Sequence, residues 1–135
     1  MATTSGFVGL KEANRALRAL PDYAKPGVQQ VMDTTGYRVA SRAKATAARR
    51  TGLLQRSIQW QSRPRTLAAV VGVEKGTAFY WKFVEYGTVK MEAQPFMRPA
   101  AQAEESRHGQ EIVAALEKAN AQMERAVNSI TSRLV

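Results

Sequence analysis

The side chains that most often carry catalysis are sparse in this sequence. His108 is the single histidine, and it lies in a polar stretch beside Glu104 and Glu105. The chain has no cysteine, which excludes disulfides, thiolate metal sites and cysteine nucleophiles. General acid–base chemistry needs a titratable group within hydrogen-bond reach of the proton that it transfers, and no such pairing is evident. We therefore interpret His108 as a surface residue.

The remaining acidic residues of the second half have the spacing of a solvated helix face. Glu111 and Glu117 lie near Lys118, as in helices whose surface charges form salt bridges. The nine glycines are scattered and form no phosphate-binding loop. No cluster of His, Asp and Cys has metal-ligand spacing. The sequence therefore predicts a protein that is not an enzyme, with no cofactor and no metal.

Positive charge is the strongest compositional signal. The formal net charge is +9, and residues 1–73 account for all of it, with 12 Lys or Arg against 3 Asp or Glu. Residues 74–135 carry 8 of each sign, and no acidic residue occurs at positions 34–73. A concentrated positive field suggests that a polyanion or an acidic protein lies nearby.

Two helices are predicted in the first fifty residues. Residues 7–20 repeat apolar side chains at helical spacing, and residues 26–50 carry an apolar stripe that indicates one buried face. Arg38, Arg42 and Arg49 fall within roughly 40° of arc on the second helix. They form a basic edge that is either an ordinary solvated face or a surface facing the DNA channel or an acidic partner.

A β-hairpin is predicted between residues 51 and 76. Residues 57–62 alternate polar and apolar side chains, and residues 67–73 form a second, more apolar strand. Pro64 cannot donate a hydrogen bond to a sheet, so it belongs in the turn.

Half of the aromatic residues lie between positions 79 and 86. A short helix through this stretch places Phe79, Phe83 and Tyr86 on one side and ends at Gly87. We predict that this side packs against the sheet and that Tyr80, Trp81 and Glu85 lie on the other faces.

A C-terminal helix is predicted over residues 99–133, with a break near His108. Its apolar residues follow a heptad seam, namely Ile112, Leu116, Ala119, Met123, Ala126 and Ile130. The seam packs either on the sheet of the same chain or on a helix of another subunit.

Three short motifs carry a resemblance to a known family. Residues 51–58 read TGLLQRSI, residues 83–88 read FVEYGT and residues 93–100 read AQPFMRPA. In order and spacing, and in the helix that follows, they resemble the tail-completion, or head–tail joining, proteins of long-tailed double-stranded DNA phages.

The resemblance implies an α+β fold in which a small antiparallel sheet is packed by a long helix of the N-terminal half and a long C-terminal helix. We expect residues 1–135 to form one domain. Its segments are residues 1–50 (helical), 51–76 (hairpin), 77–100 (aromatic helix and docking loop) and 99–133 (C-terminal helix).

The function implied is that of a structural virion protein without catalytic activity. It forms a ring, a hexamer, at the head-proximal end of the tail and joins the tail to the head, and DNA passes through the ring. The expected partners are further copies of the chain, the tail-tube protein and the head connector or stopper protein, with non-specific contact to genomic DNA and no membrane. The expected location is the tail or neck of the virion, after assembly in the host cytoplasm.

The residues expected to contact other subunits or partners lie mostly in and around the loop Thr88–Gln94. They are Tyr80, Trp81, Glu85, Thr88, Lys90, Glu92, Phe96 and Arg98. Arg98 stands between two prolines, and it either pairs with an acidic group of the next subunit or caps its own helix. The alternative function is that of a small basic DNA-binding protein acting through non-specific phosphate contacts.

Overall fold

The computed structural model describes residues 15, 17–47, 52–76 and 78–134. Over these residues the chain folds into an α+β arrangement in which a two-stranded antiparallel sheet is combined with two long and two short helices. The elements are α1 Lys25–Thr46, α2 Leu53–Ser57, β1 Ile58–Arg63, β2 Ala68–Val73, α3 Trp81–Tyr86 and α4 Met97–Leu134. The predicted fold class is confirmed.

The first long helix, α1, is packed through small side chains. Pro26 lies in its first turn, where the N–H that proline lacks has no helical partner anyway. The helix ends at Thr46 because Ala47 is extended. Its fully buried positions are Val28, Gly36, Ala40 and Ala43. Such small residues let the helix approach the hairpin closely.

Gly36 marks the closest point of that approach. A Cβ at this position would lie 2.9 Å from the Cβ of Ala69 and 3.4 Å from Cε3 of Trp60, one residue on each strand of the hairpin. A glycine inside a helix costs about 1 kcal/mol relative to alanine. In return, the absence of a Cβ at Gly36 allows α1 to pack closely on the hairpin.

Two glycines in helices should therefore respond oppositely to substitution by alanine. Gly36→Ala should lower the free energy of unfolding by about 1–3 kcal/mol, because the Cβ of Ala69 is tied to backbone and cannot move aside. Gly109→Ala should raise it by up to about 1 kcal/mol, since a Cβ there meets no atom within 4 Å. Urea denaturation of both variants measures the two changes. A Gly36→Ala variant as stable as Gly109→Ala would contradict the close contact.

The hairpin pairs β1 with β2 in antiparallel register, from Ile58 opposite Val73 to Arg63 opposite Ala68. Pro64 begins the 3-10 turn that joins the strands. Just before β1, residues 53–57 of the first motif form the short helix α2, which the sequence reasoning did not predict.

Among the described residues, the core joins α1, α2, the hairpin, both ends of the aromatic segment and the start of α4. Phe96 is its largest side chain, and it is fully buried. The other buried members are Ala40, Ala43, Ala47, Leu54, Ile58, Ala78 and Ala100. Because most of these are alanines, the one phenylalanine fills much of the space between α1, the hairpin and the start of α4.

The last helix, α4, has 38 residues and runs through His108 and Gly109 without the predicted break. A single glycine costs too little to break a helix whose neighbouring turns pack on α1. His108 is half-buried, and its Nδ1 lies 2.7 Å from Oγ1 of Thr35 on α1. The interpretation of His108 as a surface residue was wrong, because the tertiary contact covers it.

Most of the predicted helix at residues 7–20 lies outside the described residues. Arg15, Leu17 and Arg18 are helical. Among the helices that the structure describes, none combines the length and hydrophobicity needed to cross a lipid bilayer.

Candidate functional site

A buried carboxylate joins the second and third sequence motifs. Glu85 on α3 is 1% exposed. Its Oε2 accepts hydrogen bonds from the backbone N–H groups of Phe96 at 2.7 Å and Met97 at 3.0 Å. Its Oε1 accepts from the backbone N–H of Arg98 at 2.9 Å and from Nε of Arg98 at 3.0 Å. We refer to this arrangement as the Glu85–Arg98 clasp.

The clasp satisfies backbone donors at the start of α4 that no helical carbonyl reaches. The first N–H groups of a helix lack intrahelical partners and carry a partial positive charge, so a carboxylate there is favourable. Arg98 closes the arrangement, since its Nη2 also donates to the backbone carbonyl of Glu85 at 2.8 Å. The two motifs are thereby held as one unit.

The clasp decides the roles of three predicted interface residues. Glu85 and Phe96 are buried within the chain, so neither presents a surface to a partner. Neither alternative for Arg98 describes its contacts: its side chain pairs with Glu85 of the same chain and donates to the backbone carbonyl of Glu85, and it does not cap its own helix. The sequence signal was available, because Glu85 and Arg98 stand in adjacent motifs, but spacing alone did not show that they meet.

The aromatic helix α3 faces the opposite way from the prediction. Phe79, Phe83 and Tyr86 are between 52% and 76% exposed. Tyr80 and Trp81 instead pack, half-buried, against the core. The reason is the clasp. Trp81 and Glu85 share a helix face at i, i+4, so turning Glu85 towards α4 turns the other three rings outwards.

We refer to Phe79, Phe83 and Tyr86 together as the aromatic face. The guanidinium of Arg98 lies 4.7 Å from the centre of the Tyr86 ring, which places the face beside the start of α4. Exposed apolar patches of this kind mark interaction surfaces more often than isolated exposed residues do.

The loop after α3, residues 88–94, is pinned at both ends. Gly87 has φ of +76°, and a Cβ there would lie 2.8 Å from the backbone N of Ala93. Thr88 donates its N–H to the carbonyl of Met91 at 2.8 Å, and Gln94 donates to the carbonyl of Val84 at 2.8 Å. The loop is therefore held close to the end of α3 by its own backbone.

The predicted contact residues of this loop lie at its surface. Thr88, Lys90 and Glu92 are all exposed, and Val89 at the tip is fully exposed. The backbone N–H of Lys90 donates to Oγ1 of Thr88 at 3.3 Å. We keep the name docking loop for residues 88–94.

A network of ion pairs joins α1 to α4. Nε of Arg38 lies 2.8 Å from Oε2 of Glu104, and its Nη2 lies 2.7 Å from Oε2 of Glu111. Nε of Arg42 lies 2.7 Å from Oε1 of Glu104. The carboxylate of Glu104 is almost fully buried between the two arginines, so its charge is compensated by direct contact.

The basic edge finds its acidic partners on another helix. No carboxylate occurs at positions 34–73, but Glu104 and Glu111 come from α4, more than sixty residues later. Arg42 remains about half exposed, and Arg49 lies outside the described residues. Orientation of this edge towards DNA stays a prediction.

Stability should fall on the acid side of neutrality. Burial acts to raise the pKa of Glu85, but three backbone N–H donors and Arg98 outweigh it and hold the pKa below 4.5. Burial also acts to raise the pKa of Glu104, but the neighbouring Arg42 and Arg38 outweigh it, and the pKa lies below its ordinary value of 4.5. Burial lowers the pKa of His108 below 6.5.

Because all three pKa values are lowered by folding, their contributions are complete above the unfolded-state values and are lost as the pH falls through the folded-state values. We expect the free energy of unfolding to be level near pH 7 and to decrease progressively below about pH 6. Urea denaturation between pH 3 and pH 8 measures this. Glu104→Gln should make the decline shallower, whereas Glu105→Gln, on the exposed side of the same turn, should leave it unchanged. A profile flat from pH 3 to pH 7 would contradict the assignment.

Within the described part of the chain, no group of three or more His, Cys, Asp or Glu side chains is arranged to hold a metal ion. The surface of the fold instead carries the exposed aromatic face and, next to it in the chain, the docking loop. This defines a small α+β protein with surfaces suited to protein–protein contact.

A family model described as "Bacteriophage HK97-gp10, putative tail-component" matches residues 11–87. The match spans more than half of the chain, which therefore belongs to this HK97-gp10-like family of phage tail components and to the virion. The resemblance inferred from the motifs is confirmed. The matched region contains the first motif and the second as far as Gly87, and it ends before the third. No curated protein and no solved structure matches the chain.

Proposed function

We propose that this protein completes the head-proximal end of the phage tail and joins it to the connector of the head, as a subunit of a ring through which DNA passes. Family membership supports a structural role in the tail, and the three motifs resemble those of tail-completion proteins. The observation that carries the finer proposal is the docking loop, which the Glu85–Arg98 clasp and its own backbone hydrogen bonds hold in place.

The docking loop is the surface we assign to the head connector or the tail tube. A pinned loop loses little conformational entropy when it binds, and this favours affinity. Val89 offers a fully exposed apolar side chain, and Lys90 and Glu92 flank it with one charge of each sign. Such an apolar centre with a polar rim is the usual anatomy of a protein interface.

Removing the protein from an infection tests the assignment. Phage carrying a stop codon in this gene should yield DNA-filled heads and separate tails, seen by electron microscopy of the lysate. Purified protein added to the lysate should restore joined particles. Joined virions at the wild-type number without the protein would contradict the proposal.

A loop variant separates docking from folding. Val89→Asp should reduce the yield of joined particles at least tenfold, because it puts a charge at the apolar centre of the loop. The matched control is Val113→Asp, at a position about half exposed on α4. Both variants should keep the unfolding free energy of the parent protein. Equal joining by the two variants would remove the docking loop from the proposal.

The ring itself is expected to have six copies, as the resemblance implies. Native mass spectrometry of the neck complex released from tails should then show six copies of the 14.9 kDa chain. A different number would leave tail completion standing and correct the ring size.

Passage of DNA along the basic edge needs a carefully chosen variant. Reversing the charge of Arg38 or Arg42 would place a glutamate against Glu104 and damage the contact between α1 and α4. Arg49→Glu is the cleaner test. Assembled particles should form normally and deliver DNA at least tenfold less efficiently. Unchanged infectivity would contradict a DNA-facing role.

The alternative function, non-specific DNA binding, predicts that the isolated protein binds duplex DNA with a steep dependence on salt. The pairing of Arg38 and Arg42 with glutamates argues against it, because those two charges are already compensated.

A further inference from the structure

The end of α4 extends beyond its neighbour α1. At 1.5 Å per residue its 38 residues span about 57 Å, whereas the 22 residues of its neighbour α1 span about 33 Å. Ala119 is the last buried position on α4, and every residue from 120 to 133 is exposed. We refer to residues 120–134 as the α4 arm.

The arm is amphipathic. Met123, Val127 and Ile130 fall within about 60° of arc and continue the stripe that packs on α1 earlier in the helix. They are 37–58% exposed. Most helical stability in proteins comes from packing of an amphipathic face, so the arm gains stability by packing its stripe against another surface.

The aromatic face lies at the other end of the same helix. The Tyr86 ring contacts Arg98 near the start of α4, and Val127 lies 29 residues further on, about 43 Å along the axis. A straight helix cannot bring its two ends together. The stripe of the arm and the aromatic face therefore cannot cover each other within one chain.

The charges beside the two surfaces are complementary. Glu117 and Glu124 stand seven residues apart on α4, so they share one flank of the apolar stripe. Lys82, which is exposed, and Arg98, which is about half exposed and already paired with Glu85, flank the aromatic face. An arm laid across the aromatic face of a second copy can place Glu124, and Glu117 just before the arm, along these basic side chains.

We infer that the α4 arm of one copy packs across the aromatic face of the next, so that copies associate head to tail. The two surfaces differ, and a contact between different surfaces generates a ring if it closes and a filament if it does not. The inference deepens the proposed ring and rests on it only for closure.

The area of the contact makes closure important. The three partly exposed rings offer roughly 400 Å² at about 200 Å² for each aromatic side chain. A stable interface buries about 800 Å² on each partner, so a single contact between two copies is weak. In a ring every copy uses both its arm and its face, which roughly doubles what it buries.

Cysteine cross-linking tests the contact directly, because the chain has no cysteine of its own. One protein carries Phe83→Cys and the other carries Val127→Cys, and they are mixed and oxidised mildly. The mixture should give a disulfide-linked dimer at least tenfold more efficiently than either protein alone. The control replaces Val127→Cys with Val113→Cys, a valine of similar exposure on the same helix but before the arm.

The outcomes are decisive in both directions. Linkage of Phe83→Cys alone or of Val127→Cys alone would mean a two-fold symmetric contact and would overturn the head-to-tail inference. So would absence of linkage in the mixture, both with concentrated protein and in assembled tails carrying both variants. Neither result changes whether phage lacking the gene fail to join heads, so the proposed function is tested separately.

A matched pair of tyrosines supplies the second readout. Tyr86→Ser should weaken self-association at least tenfold by analytical ultracentrifugation. Tyr37→Ser, at a tyrosine 59% exposed on α1, should change it less than twofold. Equal effects of the two substitutions would overturn the role of the aromatic face.

Discussion

Replacing Glu85 with alanine should lower the free energy of unfolding by about 3–5 kcal/mol, because each buried N–H group left without an acceptor costs about 1–3 kcal/mol. The loss leaves the backbone N–H groups of Phe96, Met97 and Arg98 without their acceptor. Urea denaturation at pH 7 measures the change. The expected magnitude is large because the carboxylate serves the helix terminus and Arg98 at the same time.

Two variants calibrate this result. Glu92→Ala, at an exposed carboxylate of the docking loop, should change stability by less than about 0.5 kcal/mol. Arg98→Ala should cost less than Glu85→Ala, since about half of the arginine side chain is already in water. If the Glu85→Ala and Glu92→Ala variants had the same free energy of unfolding, the clasp would make no measurable contribution to stability.

Replacing Glu104 with alanine should produce the second large effect, a loss of about 3 kcal/mol. Its carboxylate is nearly fully buried, and its removal leaves Arg38, itself largely buried, with Glu111 alone. The control is Glu105→Ala, the exposed neighbour on the same helix, for which a loss below about 0.5 kcal/mol is expected.

A double variant separates the cost of an unpaired charge from the worth of the pair. Buried ion pairs can often be replaced by apolar residues of similar volume with little loss of stability. Arg38→Met combined with Glu104→Met should therefore be more stable than Glu104→Ala alone. A double variant less stable than the single one would mean that the pair contributes net stability to the contact between α1 and α4.

The two sets of contacts also connect stability with assembly. The clasp orients α3, so loss of Glu85 should disturb the aromatic face as well as the start of α4. The pairs of Glu104 hold α4 against α1, and the α4 arm projects from that contact. Variants at Glu85 and Glu104 should therefore weaken association of copies as a consequence of weakened folding, whereas Tyr86→Ser should weaken association with much less effect on folding, since it removes only the contact of one exposed ring with Arg98.

Local patterns predicted the long elements well, because periodicity is a property of neighbouring residues. The stripe on residues 26–50 corresponds to α1 at Lys25–Thr46, and the alternation after residue 57 corresponds to the hairpin. The second half of the C-terminal seam was also recognised as a stripe. Which part of it packs inside the chain depended on the length of α1, which sets where the intramolecular partner ends.

Orientation and pairing between distant segments were not predictable in the same way. We expected the apolar face of α3 to be buried. Instead the carboxylate of Glu85 is buried, because three backbone N–H groups and the side chain of Arg98 donate hydrogen bonds to it there. That single interaction explains why Phe83 is exposed while Trp81 packs half-buried against the core. A pattern of hydrophobicity alone does not predict this interaction of Glu85.

By itself the sequence determined the two long helices, the hairpin, the excess of positive charge and, through three motifs, the phage tail family. The tertiary structure alone decided that Glu85 is internal, that Phe79, Phe83 and Tyr86 face outwards, and that Arg38 is neutralised by Glu104. The physical reason is that a buried charge or an unpaired N–H must find its partner in space. Those partners come from segments far away in the chain, where no local pattern reveals them.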